Sequence, residues 1–205
     1  QEDDRFKYIA MQHADTTMKN FIRPDGSVNH IVDFNYQTGE FVDTFKGQGY
    51  EVGSSWSRGQ SWAIYGFILS YIHTQKQEYL DTAKSVANYF ISCIGESYVP
   101  NCDFRSPIEP VIKDTTAGVI AACGLIEISN NVQEYEKKVY LNAAINILKA
   151  TEKQYCDWTT DEQAILTMGT KSYHDISGRN VPIIYGDYYF IEAILKLRGN
   201  NILFW

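Results

Sequence analysis

Residues able to do chemistry concentrate in one short segment of this chain, GSSWSRGQSWAIYGF, residues 53–67. The apolar spacing from Arg58 onward predicts a helix, and Arg58, Trp62 and Gly66 lie four residues apart on one of its faces. A guanidinium in the first turn lies where exposed N–H groups favour an anion, and its planar fork matches a carboxylate. Trp62 and Trp56 offer flat surfaces to a sugar ring. Together these residues predict a pocket for an acidic sugar.

The same helix start also has a simpler structural interpretation. Ser57 and Gln60 fit a capping box, S-x-x-Q, which would begin the helix at Arg58. Arg58 could pair with a structural carboxylate, and both tryptophans could belong to the core. Because burying an arginine, a glutamine and two tryptophans together is costly without a ligand, we favour the binding site and keep the structural alternative open.

The elements that must position these residues are mainly helices. Pieces of alternating polarity, HIVDF and EFVDTF, indicate one small hairpin within a long irregular stretch before residue 53. Two more irregular stretches, 100–110 and 158–182, separate the later helices. Apolar spacing at a period of 3.6 predicts helices over residues 5–21, 58–73, 78–94, 115–129, 134–155 and 185–197.

The helices repeat as a unit. The similar segments YGFIL, CGLIE and YGDYY begin at Tyr65, Cys123 and Tyr185, spaced by roughly 60 residues. The first helix of each unit is apolar nearly all round, whereas the second helices have a charged face, which predicts an inner and an outer row. We therefore expect an all-α fold, an α/α toroid. Only two and a half helix pairs are visible, so the chain should hold about half of such a ring.

Further polar residues should meet the rim where the inner helices start, because every unit runs in the same direction. Asp114 precedes TTAGVIAACG, and Asp187 lies within IYGDYYF. Helix capping is the simpler interpretation of both aspartates. His30 in SVNHIVDF, and Tyr173 and His174 in KSYHD, lie in irregular stretches that would overhang this rim. A loop histidine is often only solvated, so the role of His30 stays open at this point.

Composition excludes some classes of partner. Lys and Arg number 18 against 25 Asp and Glu, giving a net charge of -7, which argues against nucleic acid and anionic membranes. No apolar run approaches the roughly 18 residues of a membrane span. The four cysteines show no metal-ligand spacing, and Cys93 and Cys123 lie in apolar helical patterns that favour buried free thiols. We expect no metal and no cofactor.

Five ordered motifs resemble the unsaturated glucuronyl hydrolases of glycoside hydrolase family 88. The motifs are SVNHIVDF, GQGYEVG, SSWSRGQSWAIYGF, DTTAGVIAACGLIEIS and SYHD…IYGDYYFIEAILKL, and they cover the chain from about Lys7 onward. The resemblance is to the C-terminal half of such an enzyme, whose fold is a six-hairpin α/α barrel. It implies that residues 1–205 form a single α/α-barrel domain that is incomplete at its N-terminus.

The resemblance implies an unusual glycoside hydrolysis. Such enzymes remove a 4,5-unsaturated uronic acid from oligosaccharides that polysaccharide lyases release, by hydrating the C4=C5 vinyl ether. It implies that Arg58 holds the uronate carboxylate and that Trp56 and Trp62 bracket the sugar. His30, Gln48 and Tyr173 would contact oxygens of the ring or linkage, which completes six matched substrate-binding positions: His30, Gln48, Trp56, Arg58, Trp62 and Tyr173.

The sequence differs from the family pattern in two ways, which leave the substrate preference and the catalytic residues unassigned. Gly47 lies before Gln48, where some members have histidine, and this leaves the sulfation or linkage preference open. The two catalytic aspartates of the family are expected upstream of Gln1, so no residue here is assigned a catalytic role. We do not assign one to Asp114.

Two alternatives remain. One is the sister family that acts on unsaturated rhamnogalacturonan with the same fold and reaction, and the other is a non-catalytic sugar-binding half-toroid. The expected partners are an unsaturated uronic-acid oligosaccharide and either the missing N-terminal half or a second chain. Bacterial members of the family act in the cytoplasm or the periplasm.

Overall fold

The computed structural model describes residues 4–159 and 163–200, so part of the irregular stretch predicted over 158–182 lies outside the described residues. The expectation of a mainly helical chain is confirmed. Six helices follow one another as α1 (Asp4–Phe21), α2 (Ser57–Thr74), α3 (Gln77–Ile94), α4 (Thr115–Asn131), α5 (Glu134–Tyr155) and α6 (Ile184–Leu197). Each lies within two residues of the bounds predicted from apolar spacing.

The helices form an inner and an outer row, as their polarity predicts. Helix α4 packs between α2 and α6, while α3 covers α2 and α5 covers α4. Every residue of α4 from Thr115 to Ser129 is buried, whereas α3 and α5 bury only one side. The main core lies between these rows and includes Ile64, Phe90, Leu125 and Ile147. Removal of this apolar surface from water drives the packing.

The small hairpin is also confirmed. Strand β1 (Ile31–Phe34) pairs antiparallel with β2 (Phe41–Phe45), and the register shifts between Asp33 and Phe34. It follows His30 directly and returns the chain to Gly47 and Gln48. The hairpin therefore brings two separate parts of the predicted site close together.

Two local predictions from the sequence are wrong. Helix α2 begins at Ser57 with Trp56 as its N-cap, so Ser57 and Gln60 do not form a capping box. The Ser57 hydroxyl donates instead to the backbone oxygen of Cys102, at 3.1 Å. Cys93 is exposed rather than buried, because it lies on the outer side of α3, while Cys123 is buried as predicted. All four cysteines are free thiols.

Exposed apolar side chains lie at both edges of the structure, on α1 beside α2 and on α6. Helix α1 buries none of its residues, and Phe6 and Ile9 are 74% and 62% exposed. On α6, Ile191 and Ile194 are exposed as well. A cavity of about 810 Å³ lies between α1 and α2, with Gly66 in its wall. None of the described helices combines the length and apolar character needed to cross a bilayer.

Close packing of α2 against α4 depends on Gly124, which yields the first prediction. A Cβ atom there would lie 2.7 Å from Cγ2 of Ile64 and 3.1 Å from the backbone of Tyr65. We expect Gly124→Ala to lower the free energy of unfolding by about 1–3 kcal/mol through overpacking.

Gly66→Ala is the matched control, because nothing lies within 4 Å of a Cβ at Gly66. Alanine in this helix should raise the free energy of unfolding by about 0.5–1 kcal/mol. Urea denaturation followed by circular dichroism measures both. Equal stability of the two variants would contradict the close packing of α2 against α4.

Candidate functional site

Arg58 lies at the centre of the rim and is held on three sides. Its Nε and Nη2 donate to one oxygen of Asp114, at 3.0 and 2.8 Å, and Nη2 also donates to the backbone oxygen of Thr170. Its Nη1 donates to the Tyr185 hydroxyl at 2.5 Å. Only 1% of Arg58 is exposed. The first turns of α2, α4 and α6 are thus joined through one guanidinium.

Asp114 is the partner that compensates this buried charge. It occupies the N-cap position of α4, as predicted, but its carboxylate is paired with Arg58 and also accepts the Thr170 N–H at 3.3 Å. Burial raises the pKa of the Asp114 carboxyl, and the neighbouring Arg58 charge and hydrogen bonds oppose that shift. The structural alternative left open for Arg58, pairing with a carboxylate, is therefore present in the fold.

These contacts engage nearly all the hydrogen-bond donors of Arg58. A guanidinium has five N–H donors, and four are used by Asp114, Thr170 and Tyr185. The remaining N–H belongs to Nη1, beside the Tyr185 hydroxyl. A two-bond fork from Arg58 to a substrate carboxylate, as expected from the sequence, is not open in this arrangement.

His30 and Trp56 form a stacked pair beside Arg58. Their ring centroids are 4.2 Å apart with an angle of 17° between planes, and the Arg58 guanidinium lies 5.3 Å from the Trp56 ring. Trp56 is 6% exposed, so His30 rather than Trp56 presents the more accessible ring of this pair. The Nε2 atom of His30 and the Nε1 atom of Trp56 are buried, and neither has a hydrogen-bond partner among the described residues.

Gly47 explains why His30 can lie flat on Trp56. The backbone at Gly47 has a φ of 52°, a conformation that favours glycine, and a Cβ there would lie 2.5 Å from Cδ2 of His30. A histidine at position 47, as in some family members, would therefore require His30 to move. The departure noted in the sequence thus has a direct geometric consequence for the site.

Gln60 holds the turn that leads into His30. Its Oε1 accepts the Val28 N–H at 3.0 Å, and its Nε2 donates to the backbone oxygen of Gly26 at 2.6 Å. Both contacts span more than 30 residues of sequence. The side chain assigned to a helix cap therefore positions a loop.

Gln48 and Tyr173 lie together on the other side of Trp56. The backbone oxygen of Gln48 accepts the Tyr173 N–H at 2.9 Å, and its side chain donates to the backbone oxygen of Lys171 at 2.5 Å. Tyr173 is 5% exposed and shares a small apolar cluster with Trp56. Arg179 covers its ring, 5.4 Å from the centroid.

Trp62 lies one turn into α2 and is the most open aromatic residue of the site, at 38% exposure. Its ring centroid lies 6.2 Å from that of Tyr185 and 5.4 Å from that of Tyr189, both on α6. All six predicted residues therefore lie in one connected region. Their contact with a substrate stays a prediction.

Asp103 was missed by sequence reasoning, although it organises the loops of the site. It is 1% exposed, and its carboxylate accepts the Tyr50 and Ser55 N–H groups, both at 3.0 Å, and the Ser54 hydroxyl at 2.6 Å. Its backbone also bridges to that of Trp56. One contact is local, because the carboxylate also accepts the Arg105 N–H at 2.9 Å, but the partners in residues 50–55 lie about 50 positions away and have no local sequence signal.

Asp187 and His174 both contact the backbone of loops near the rim. Asp187 lies in the first turn of α6, whose N-cap is Ile183, and its carboxylate accepts the N–H groups of Ile165 and Leu166, at 3.1 and 2.7 Å. The capping interpretation of Asp187 is therefore wrong. His174 is exposed, and its Nε2 lies 2.6 Å from the backbone oxygen of Tyr50. Within residues 4–159 and 163–200, no cluster of His, Cys, Asp and Glu could hold a metal ion.

Removal of either member of the Arg58–Asp114 pair tests its importance. Arg58→Ala leaves the Asp114 carboxylate buried without its counter-charge, so the free energy of unfolding should fall by about 3–5 kcal/mol. The double variant Arg58→Ala/Asp114→Ala should lose less than the sum of the two single changes. Lys84→Ala, which breaks a part-exposed pair with Glu136, is the control and should cost less than about 1 kcal/mol. Additive losses in urea denaturation would argue against the coupling.

Comparison with known proteins gives relatives of one kind. A scan against models of protein families finds no match. An unsaturated glucuronyl hydrolase of Formosa agariphila is 34% identical over 206 residues, which cover 98% of this chain and 50% of that protein. An unsaturated chondroitin disaccharide hydrolase of Streptococcus pneumoniae is 33% identical over 208 residues, which cover 99% of this chain and 52% of the relative.

Solved structures agree with this result. The unsaturated glucuronyl hydrolase of Bacillus sp. GL1 is 33% identical, with a TM-score of 0.89 over 96% of this chain and 54% of that one. The enzyme from Streptococcus agalactiae is 30% identical, with a TM-score of 0.93 over 99% and 52%. A mutant of the latter was solved with dGlcA-GalNAc6S bound. These structures are α/α toroids, which confirms the fold class.

The chain spans about half the length of the relatives that it matches. Within that half, the similarity extends over nearly every residue of the chain at about one-third identity. The resemblance seen in the sequence motifs is therefore confirmed: over nearly its whole length the chain is similar to one half of the unsaturated glucuronyl hydrolases.

Proposed function

We propose that the complete protein is a glycoside hydrolase that removes a 4,5-unsaturated uronic acid from lyase-generated oligosaccharides. Residues 1–205 would form one α/α-barrel domain with a segment not present in this chain, and would supply most of the substrate-binding wall. The observation that carries the proposal is the cluster at the rim, where Arg58, the stacked His30 and Trp56, and the open Trp62 lie together. Relatives at about one-third identity act on such substrates, as their names state.

The rim suits an anionic sugar for three physical reasons. The positive ends of α2, α4 and α6 converge there, and anions are favoured at helix N-termini. Asp114 binds the Nε and Nη2 side of the Arg58 guanidinium, which leaves Nη1 and the Tyr185 hydroxyl on the other side. Trp62 offers an apolar ring to the C–H face of a sugar.

The reaction proposed is hydration of the C4=C5 vinyl ether rather than attack at the anomeric carbon. A carboxylic acid donates a proton to C4, water adds at C5, and the resulting hemiketal opens with loss of the glycosidic bond. The three buried aspartates that the structure describes at this rim, Asp103, Asp114 and Asp187, are not free for that step, because each binds backbone N–H groups or Arg58. We propose that the two catalytic aspartates lie in the complementary half of the ring.

Loss of Trp62 tests the proposed function. In a form of the protein with the length of its relatives, turnover of an unsaturated disaccharide should abolish the ultraviolet absorbance of the conjugated double bond. We expect Trp62→Ala to lower kcat/KM by about tenfold or more, because a stacking surface for the sugar is lost. Trp158→Ala is the control and should keep the full rate, since Trp158 is 63% exposed and lies outside the site.

The choice of disaccharide separates the proposed function from its alternatives. Loss of absorbance only with a pectin-derived unsaturated disaccharide would favour the rhamnogalacturonan-specific sister family. Binding of the disaccharide without any loss of absorbance would favour a non-catalytic sugar-binding half-toroid. Persistent absorbance and no binding across several linkages would contradict all three functions.

We also propose that a complementary set of helix hairpins packs against the two open edges of the inner row. Helix α4 has inner neighbours on both sides and is buried from Thr115 to Ser129, whereas α2 and α6 each have one such neighbour. The cavity between α1 and α2 is wide and apolar, with Phe6, Ile9 and Gly66 among its lining residues. An inner helix of the other half would fill it.

Substitution of Gly66 tests this packing. Gly66→Leu should leave the chain folded, because the space around Gly66 is open. The leucine side chain should occupy the cavity in which we place the additional helix. It should therefore prevent association with a separately produced complementary half. Asn142→Leu, at an exposed site on α5, is the matched control and should associate normally. Analytical ultracentrifugation measures the association. Equal association of both variants would rule out a helix at this cavity.

A further inference from the structure

The Tyr185 hydroxyl lies next to Nη1 of Arg58, the atom that carries the one unassigned N–H of the guanidinium. Its oxygen accepts Nη1–H of Arg58 at 2.5 Å, and the guanidinium carbon lies 5.4 Å from the centre of the same ring. A phenol oxygen that accepts one hydrogen bond still has its own O–H to donate. The structure describes no acceptor for that hydrogen within residues 4–159 and 163–200. Two donors, one N–H and one O–H, are thus adjacent.

The Tyr185 side chain is more accessible to a ligand than that of Arg58. Arg58 is 1% exposed, while Tyr185 is half-buried and its ring faces Trp62, the most open aromatic residue of the site. Accepting a hydrogen bond from a cation polarises the Tyr185 O–H and strengthens it as a donor. A ligand at the rim therefore interacts with the positive charge of Arg58 mainly through the polarised Tyr185 O–H.

We propose that Tyr185 is a substrate-binding residue that contacts the carboxylate of the sugar. One carboxylate oxygen accepts the Tyr185 O–H, and the remaining Nη1–H of Arg58 lies close enough to share the anion. This replaces the two-bond fork expected for Arg58 alone, which Asp114 and Thr170 already occupy. The inference rests on the proposed function, because it assigns a residue to the acidic group of that substrate.

A purely structural role for Tyr185 makes a different prediction. Its ring packs near Trp62 and over Arg58, and phenylalanine would retain both contacts. A structural residue would therefore tolerate Tyr185→Phe, or would lose affinity for every ligand equally. A residue that contacts the carboxylate loses affinity only for ligands that carry it.

The experiment uses the form of the protein with the length of its relatives and compares two variants on two disaccharides. Because the proposed activity consumes the ligand, binding is compared through kcat/KM, from the rate at which the second sugar is released. The ligands are an unsaturated uronyl disaccharide and the same disaccharide with its carboxyl group reduced to an alcohol. Tyr185→Phe should weaken binding of the acidic disaccharide by about 10- to 30-fold and binding of the reduced one by less than about twofold. Tyr135→Phe, on the exposed face of α5, should bind both ligands as the unchanged protein does.

The outcomes separate this inference from the proposed function. If Tyr185→Phe binds both disaccharides normally, or weakens both equally, the carboxylate contact is overturned while the proposed function stands. If the unchanged protein neither binds nor hydrolyses unsaturated disaccharides of several linkages, the proposed function is overturned, and the inference with it. Thermal unfolding of each variant checks that the chain remains folded.

Discussion

The buried ion pair between Arg58 and Asp114 is the constraint on which the rim depends. It connects the first turns of α2 and α4, and the contacts of Arg58 with Tyr185 and Thr170 extend the connection to α6 and to the last loop. Taking two charges out of water is costly, and a buried pair often adds little net stability. Its role here is to position the helices. The guanidinium is planar and four of its donors are engaged, so the starts of the three helices can be arranged around it in only one way.

Buried carboxylates fix the loops around this pair in the same manner. Asp103 joins residues 50–55 to its own loop, and Asp187 joins α6 to residues 165–166. Each satisfies backbone N–H groups that would otherwise be buried without partners. These buried carboxylates consequently have structural roles, because they hold the loops and helix starts of the rim in place. Under the proposed function, this chain therefore contacts its ligand mainly through aromatic rings and the Tyr185 hydroxyl.

Local pattern was sufficient for the helices but not for the polar contacts. Apolar periodicity gave all six described helices within two residues, because burial of the inner row imposes that periodicity over many positions. Gln60 and Asp114 also matched local capping patterns, yet their partners lie 32 and 56 residues away. A short pattern cannot distinguish a cap from a tertiary contact, since both use the same polar atoms. Family motifs supplied the six residues predicted to bind substrate, but not Asp103 or the hydroxyl of Tyr185.

Completion of the ring and completion of the site are physically linked. The cavity between α1 and α2 is lined at its upper end by His30, Trp56 and Trp62, which are also residues of the proposed sugar site. A helix that fills this cavity must therefore touch the same rings that the sugar is proposed to touch. The buried nitrogens of His30 and Trp56 have no partner in the described chain, and polar side chains on the proposed helix would supply one. The half that is proposed to carry the catalytic acid would thus also set the final geometry of the aromatic wall.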